Sequence, residues 1–250
     1  MSLVEILFVL VAGVAAGGIN AIVGSGSLVT FPALLAVGFP AVTANVSNTI
    51  GLVFGNFSAV WGYRRELRGQ GRRIALMGVW TTLGAATGGA LLLVLPEGVF
   101  DAVVPALVLL AVVLMALRPA PAQTTHVLTT ARLVALGGTA YAVGIYGGYF
   151  GAAQGVILLA ALRLLLPDGL QRLNGLKNVL VGLANLVAAI AFVIFADVAW
   201  DAVALVAVGS TVGAALGASY GRLIPDQRLR QIVVVGGTIV ALILVVRVLT

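Results

Sequence analysis

Gly17-Gly18-Ile19-Asn20-Ala21-Ile22-Val23-Gly24-Ser25-Gly26-Ser27, followed by Phe31-Pro32 and then by Asn45-Val46-Ser47-Asn48-Thr49, lies inside hydrophobic sequence long enough to enter a bilayer. Glycine is conformationally loose, and Asn, Ser and Thr carry donors and acceptors that hydrocarbon cannot satisfy. Such residues are tolerated at membrane depth where protein encloses the backbone or a cavity runs beside it. The stretch reads as one half of a solute site built on a broken helix. The second half of the chain is expected to supply the other.

Composition sets the class. Of 250 residues, 61% are hydrophobic and 9% charged, and the mean hydropathy is +1.17. A soluble domain carries about 25% charged residues. The expected fold is an all-α polytopic membrane protein, and soluble globular classes are excluded. There is no cysteine, so neither a disulfide framework nor a thiolate metal site can form. The single histidine, His126, sits in a polar loop, which argues against zinc or haem. No metal and no cofactor are expected. The basic excess, fourteen Lys and Arg against eight acids, bears on orientation in a membrane and is weak evidence for a nucleic-acid partner, so none is expected. Glu5 is the only charge near the N-terminus, so that segment reads as a first span and not as a signal peptide.

Hydrophobic segments run over 3–23, 26–38, 43–62, 74–94, 99–117, 132–150, 153–166, 173–195, 199–220 and 230–249. Most reach the roughly 20 residues that a bilayer requires. Two, 26–38 and 153–166, are short, and each follows a glycine cluster. The chain also repeats itself. Gly84-x3-Gly88 with Pro96-Glu97 recurs as Gly213-x3-Gly217 with Pro225-Asp226 at an offset of 129. Ser47-Asn48-Thr49 and Asn56 correspond to Lys177-Asn178-Val179 and Asn185. Gly24-Ser25-Gly26-Ser27 corresponds to Gly151-Ala152-Ala153-Gln154-Gly155.

Charge gives the sidedness. The loop with Arg64, Arg65, Glu66, Arg68, Arg72 and Arg73 is basic and reads as cytoplasmic, as do the linker with Arg118, His126 and Arg132 and the turn with Arg222, Arg228 and Arg230. The counterpart of the first loop holds Asp197 and Asp201, and the turn with Glu97 and Asp101 also reads as external. Equivalent loops on opposite sides require an odd number of crossings per copy. The preferred arrangement is two inverted repeats of about five segments, ten in all, with the N-terminus outside. The alternative is four plus four spans with re-entrant short segments. The first membrane repeat is assigned to 1–117, a cytoplasmic linker to 118–131, and the second repeat to 132–250. Gly84, Gly88, Gly89, Gly209, Gly213 and Gly217 follow small-xxx-small spacing and read as packing positions.

Inverted repeats place solute sites where interrupted helices meet, with half-helix N-termini turned toward an anionic group. The glycine clusters at 24–26 and 151–155 are where such ends would form, with Ser25, Ser27 and Gln154 adding side-chain donors. The plain alternative is a turn or close packing. Lys177 is the only lysine and lies in an apolar segment beside Asn174 and Asn178. It offers a point charge to an anion if it faces the site; otherwise it snorkels to the interface near Arg172. Asn20, Asn45, Ser47, Asn48, Thr49 and Asn56 add uncharged groups in the first copy, and Asn174, Asn178 and Asn185 in the second, each competing with a reading as an interhelical tie. The substrate-binding set is Asn20, Gly24, Ser25, Gly26, Ser27, Asn45, Ser47, Asn48, Thr49, Gly151, Gln154, Gly155, Lys177 and Asn178. None of the eight acids lies clearly in mid-span, which argues against a carboxylate-coupled cation carrier. Phe31, Phe54, Phe57, Trp61, Tyr141 and Phe150 read as belt or packing residues, while Tyr146 and Tyr149 adjoin the second glycine cluster.

The order Gly17, Asn20-Ala21, Gly24-Ser25-Gly26-Ser27-Leu28, Phe31-Pro32-Ala33-Leu34-Leu35, Gly38, Ala44-Asn45, Asn48 and Tyr63-Arg64-Arg65 resembles the sulfite exporter TauE/SafE family over nearly the full chain. The second cluster departs from the Gly-x-Gly-Gly run usual there. The resemblance implies a permease for small sulfur-containing or organic anions in the inner membrane, without catalysis. Carried over by position, it implies a first site half at Asn20 to Ser27 with Asn45 to Thr49, and a second at Gly151 to Gly155 with Lys177 and Asn178. The expected activity is secondary transport of a small anion by alternating access; a passive anion channel and a non-transporting scaffold are the alternatives. An intramembrane enzyme would need a buried acid pair, a Ser–His dyad or a metal cluster that the sequence lacks. A small anionic solute and the lipid bilayer are the expected partners, with a homodimer as an option.

Overall fold

The computed structural model describes residues 1–116 and 130–220, and among these residues there are nine helices and no strand. They are α1 (Leu3–Ile22), α2 (Ser27–Ala36), α3 (Ala41–Gly62), α4 (Gly71–Val94), α5 (Glu97–Ala116), α6 (Thr130–Tyr149), α7 (Gln154–Leu165), α8 (Leu170–Phe195) and α9 (Trp200–Tyr220). Each matches one expected hydrophobic segment to within a few residues. The expected segment 230–249, nearly all of the linker, and the turn with Arg222, Arg228 and Arg230 lie outside the described residues.

Local chemistry sets the boundaries. Ser2 and Glu5 close a capping box at the start of α1: the Glu5 N–H donates to Ser2 Oγ at 3.3 Å, and the Ser2 N–H donates to Glu5 Oε2 at 2.7 Å. Pro40 precedes α3 with extended ψ, and α4 stops at Leu95 because Pro96 follows it. The interior Pro32 removes one backbone donor from α2, a helix of only ten residues.

Four helices, α1, α4, α8 and α9, are long and apolar enough to cross a bilayer by length and composition. Their outward faces are greasy: Val94 is 81% exposed and Phe195 73%, whereas Lys177 is fully buried. This inside-out distribution suits a lipid surround. Among the described residues the fold is therefore that of an all-helical polytopic membrane protein.

Glycine faces set the helix directions. Gly13, Gly17 and Gly18 of α1 meet Gly209, Ser210 and Gly213 of α9 in ascending order, so these helices run parallel. Gly51, Gly55 and Gly62 of α3 meet Val206, Ser210 and Ala218 in the same sense. On the other side, Gly84 and Gly88 of α4 rest on the backbone of Tyr141 and Ile145 of α6, again parallel. In contrast, α3 and α8 run antiparallel: Ser47 meets Ala199, Asn56 meets Gly182, and Tyr63 meets Asn174. Since α1 and α3 share one direction, α2 and the segment to Pro40 carry the chain back between them. A Cβ at Gly84, Gly88 or Gly213 would overlap the facing backbone, so these positions are packing glycines, as their spacing predicts.

Phe31 of α2, Phe100 of α5 and Phe150 at the end of α6 form an aromatic core with ring centroids 5.3 to 6.5 Å apart. At the end where α3 passes into α4, Asp168 holds Arg73 and Arg172, the latter at 3.2 Å. Gln70 Nε2 donates to the Arg172 carbonyl at 3.0 Å, and Arg172 Nη1 donates to the Arg68 carbonyl at 3.2 Å. This polar knot joins the basic loop to the α7–α8 connection.

Candidate functional site

The first and sixth helices end alike. Val23 and Phe150 N–H bond four residues back, and Gly24 and Gly151 N–H bond five residues back, to Ile19 and Tyr146 carbonyls at 3.2 and 3.0 Å. Both glycines have positive φ, +91° and +75°. This is the left-handed turn that glycine makes without strain after a helix C-terminus. Each turn throws the chain into a short helix, α2 or α7.

The tips of those short helices touch. The Gly155 N–H donates to the Gly24 carbonyl at 3.0 Å. A Cβ on either glycine would overlap the other's Cα. The remaining first-turn N–H groups of α7 are also engaged: Gln154 bonds Gly151 O, and Val156 and Ile157 bond Ala153 O. The α7 tip therefore does not present the free N–H groups expected of it, because the Gly24 carbonyl has taken the outward-facing one. The α2 tip is more open. Leu28, Val29 and Thr30 N–H are satisfied locally and Gly26 N–H reaches Asn20 Oδ1 at 3.4 Å, whereas Ser25 and Ser27 N–H find no acceptor among the described residues.

Around this junction lies a buried polar layer. Asn20 Nδ2 donates to Asn56 Oδ1 at 2.8 Å. Asn48 Nδ2 donates to Ser27 Oγ at 3.2 Å, and Thr30 Oγ1 donates to Asn48 Oδ1. Thr30 is a member that sequence reading missed; its signal was its place four residues after Gly26, whose carbonyl it also reaches. Ser25 Oγ and both polar atoms of the Gln154 amide are buried without a partner among the described residues. The Gln154 amide lies over Gly147, where a Cβ would overlap it. Buried polar atoms left unpaired are costly and mark places where a ligand or water belongs.

Lys177 reaches the same junction from α8. Its Cδ lies 3.2 Å from the position that a Cβ on Gly24 would take. Its Nζ donates to Asn20 O at 2.9 Å and to Ala21 O at 3.4 Å. Asn178 and Asn174 Nδ2 also donate to Ala21 O, at 3.0 and 3.2 Å, and Asn174 bonds Tyr63 Oη at 2.9 Å. Lys177 does not snorkel, and it pairs with no carboxylate among the described residues.

Four expected members stand apart. Asn45 Nδ2 donates to the Tyr149 carbonyl at 3.0 Å, capping α6 as Asn174 and Asn178 cap α1. Ser47 accepts the Ala199 N–H at 3.0 Å, so it serves a different face of α3 from its neighbour Asn48. Thr49 is buried and bonds to none of the other candidates. Gly151 serves the turn. Tyr146 Oη donates to the Ala152 carbonyl at 2.5 Å, bracing the α6–α7 turn. No group of three or more His, Cys, Asp or Glu that could hold a metal occurs among the described residues.

The sequence that builds this junction has relatives among known proteins. The family model described as "Sulfite exporter TauE/SafE" matches residues 9–244. The chain belongs to the sulfite exporter TauE/SafE family. Similar chains carry transporter names. A "Probable membrane transporter protein" of Haemophilus influenzae is 28% identical, covering 94% of this chain and 91% of its own. The "Probable membrane transporter protein ORF9" of a Sinorhizobium species is 27% identical over 85% of this chain and 82% of its own. The "Probable membrane transporter protein YfcA" of Escherichia coli K12 is 28% identical over 81% and 75%. No solved structure matches. Family and relatives together indicate a membrane transporter.

Proposed function

We propose that this chain is a secondary transporter of a small anion, sulfite or an organosulfonate, in the cytoplasmic membrane. In this reading the site is the junction where the α2 and α7 tips meet. The observation that carries it is Lys177: a buried cation, against Gly24, with no carboxylate to balance it among the described residues. The Asn20 and Ala21 carbonyls offset part of that buried charge, and an anion arriving beside it offsets the rest. The unpartnered Ser25 Oγ and Gln154 amide, and the open Ser25 and Ser27 N–H groups, add the neutral donors that an oxyanion needs.

Alternating access between two inverted halves is the mechanism that the helix directions favour. Pairing α1, α3 and α4 with α6, α8 and α9 matches each to a helix of opposite direction. The contacts exchange in the same way, α1 on α9 answering to α6 on α4. In this conformation the tips are closed on each other, so a solute entering between them must part Gly24 from Gly155.

The test is transport in proteoliposomes with sulfite, sulfoacetate and related anions. The parent should show saturable uptake and counterflow. Lys177→Ala and Ser25→Ala, assayed in sodium-free buffer, should each lose at least about tenfold, on the order of 1.4 kcal/mol or more of site interaction. Variants that fold and move every anion at the parent rate would overturn the site.

A further inference from the structure

The end of α1 is a cup of oxygens. Its last turn leaves the Asn20 and Ala21 carbonyls without backbone donors, because the Gly24 N–H turns back to Ile19 O. Into that cup α8 sends Lys177 Nζ, 2.9 Å from Asn20 O and 3.4 Å from Ala21 O. Asn174 and Asn178 border it through their bonds to Ala21 O. Asn174 Oδ1 is buried there and has no partner among the described residues. A helix C-terminus carries about half a negative charge, so the cup itself is what attracts the ammonium. The corresponding end of α6 is different. Among the described residues the Tyr149 carbonyl receives only the neutral Asn45 amide, and Ser47 stands at the position of Lys177 in the sequence repeat.

In transporters built from interrupted helices, unwound carbonyls and half-helix C-termini coordinate the coupling sodium ion or proton. We propose that Lys177 is a resident cation that fills the alkali-ion position at the end of α1, so that anion movement by this chain needs no sodium. The inference rests on the anion-transporter reading and adds the coupling ion to it. The ammonium makes the contacts that a sodium ion would make with the two carbonyls. Because it is tethered to α8, it cannot leave with the solute, and it holds α1 to α8 as a bound ion would. Removing it should open a site lined by Asn20 O, Ala21 O and Asn174 Oδ1, with the Asn178 amide free to turn its oxygen inward.

The experiment compares melting temperatures of the purified full chain in sodium chloride and in choline chloride at equal ionic strength, without transported anion. The wild type and Lys177→Arg should melt at the same temperature in both salts. Lys177→Ala and Lys177→Gln should melt lower in choline and recover in sodium by ~3 °C or more, the stabilisation expected of an ion bound to the folded state. A wild type that gains as much from sodium, or truncated variants that fold and are indifferent to sodium, would overturn the proposal. Should neither truncation fold, wild-type anion uptake decides: equal rates in the two salts uphold it, and a rate at least twofold higher in sodium refutes it. Failure of the anion reading itself would look different, as no uptake and no stabilisation by any anion in either salt, with the sodium comparison of melting temperatures intact.

Discussion

The Gly155 N–H and the Gly24 carbonyl close the two short helices on each other at 3.0 Å. This one bond joins the two halves of the chain, and it exists only because neither residue has a side chain.

The first prediction follows from that contact. Gly155→Ala places a methyl in the space of the Gly24 Cα and carbonyl. Forcing a methyl into a filled space costs on the order of 1–3 kcal/mol. The variant should populate the closed arrangement less, melt several degrees lower and transport at least about tenfold more slowly. Unchanged melting and unchanged uptake together would show that the tips do not meet as described.

Ala153 supplies a second test. It is the only non-glycine residue at positive φ among the described residues, +58°, and it sits at the N-cap of α7. A left-handed alanine costs roughly 1–2 kcal/mol, part of which glycine returns through its greater freedom in the unfolded chain. Ala153→Gly should therefore stabilise the closed form by up to ~1 kcal/mol, read as a higher melting temperature in detergent. If the α7 tip must change conformation during transport, the same variant should slow uptake. A lower melting temperature would contradict the assigned backbone.

Much of this architecture was legible in the sequence, and the reason is physical. Span length, Pro96 after α4 and the glycine clusters before the short helices act locally, so the boundaries of α1 to α9 follow from them. The glycine stripe on α4 read correctly as packing because a helix needs no more than its own spacing to present it. What the sequence could not show is direction across space. In the sequence Lys177 either faces an anion or snorkels, yet its Nζ turns to the Asn20 and Ala21 carbonyls, which belong to a helix more than 150 residues away in the chain. The α7 N–H groups looked free because nothing in residues 151–157 reveals that Gly24 would approach them. The contacts of Thr30, Tyr63 and Gln70 are hidden for the same reason: each is an ordinary polar residue until its distant partner is known.

Asp168 allows a third prediction. Its carboxylate binds Arg73 at the start of α4 and Arg172 at the start of α8, and its side chain is only 15% exposed, against 28% and 40% for the two arginines. Pairs with exposed partners contribute little, typically about 0.2–1 kcal/mol each. Asp168→Asn should lower stability by ~1–2 kcal/mol. Combined with Arg73→Gln, the loss should be less than the sum of the single losses, because both changes remove one shared bond. Strict additivity would mean that the pair does not form in the membrane.

The final prediction compares two asparagines with matching duties. Asn45 caps the end of α6 and Asn178 caps the end of α1, each by one amide donor at 3.0 Å to a carbonyl. The carbonyls differ in their other partners. Ala21 O also receives Asn174 and Lys177, so losing Asn178 leaves it satisfied. Tyr149 O has no other donor among the described residues, so Asn45→Ala leaves a part-buried carbonyl unpaired. Stranding a buried carbonyl costs about 1–3 kcal/mol, whereas removing one of several donors costs about 0.5–1.5 kcal/mol. Asn45→Ala should therefore melt lower than Asn178→Ala, although Asn178 is the one beside the lysine. Transport should rank the other way, since Asn178 borders the cup that holds Lys177 and Asn45 only anchors a helix end. If both measurements rank the two variants in the same order, capping and solute handling are not divided between the two helix ends in this way.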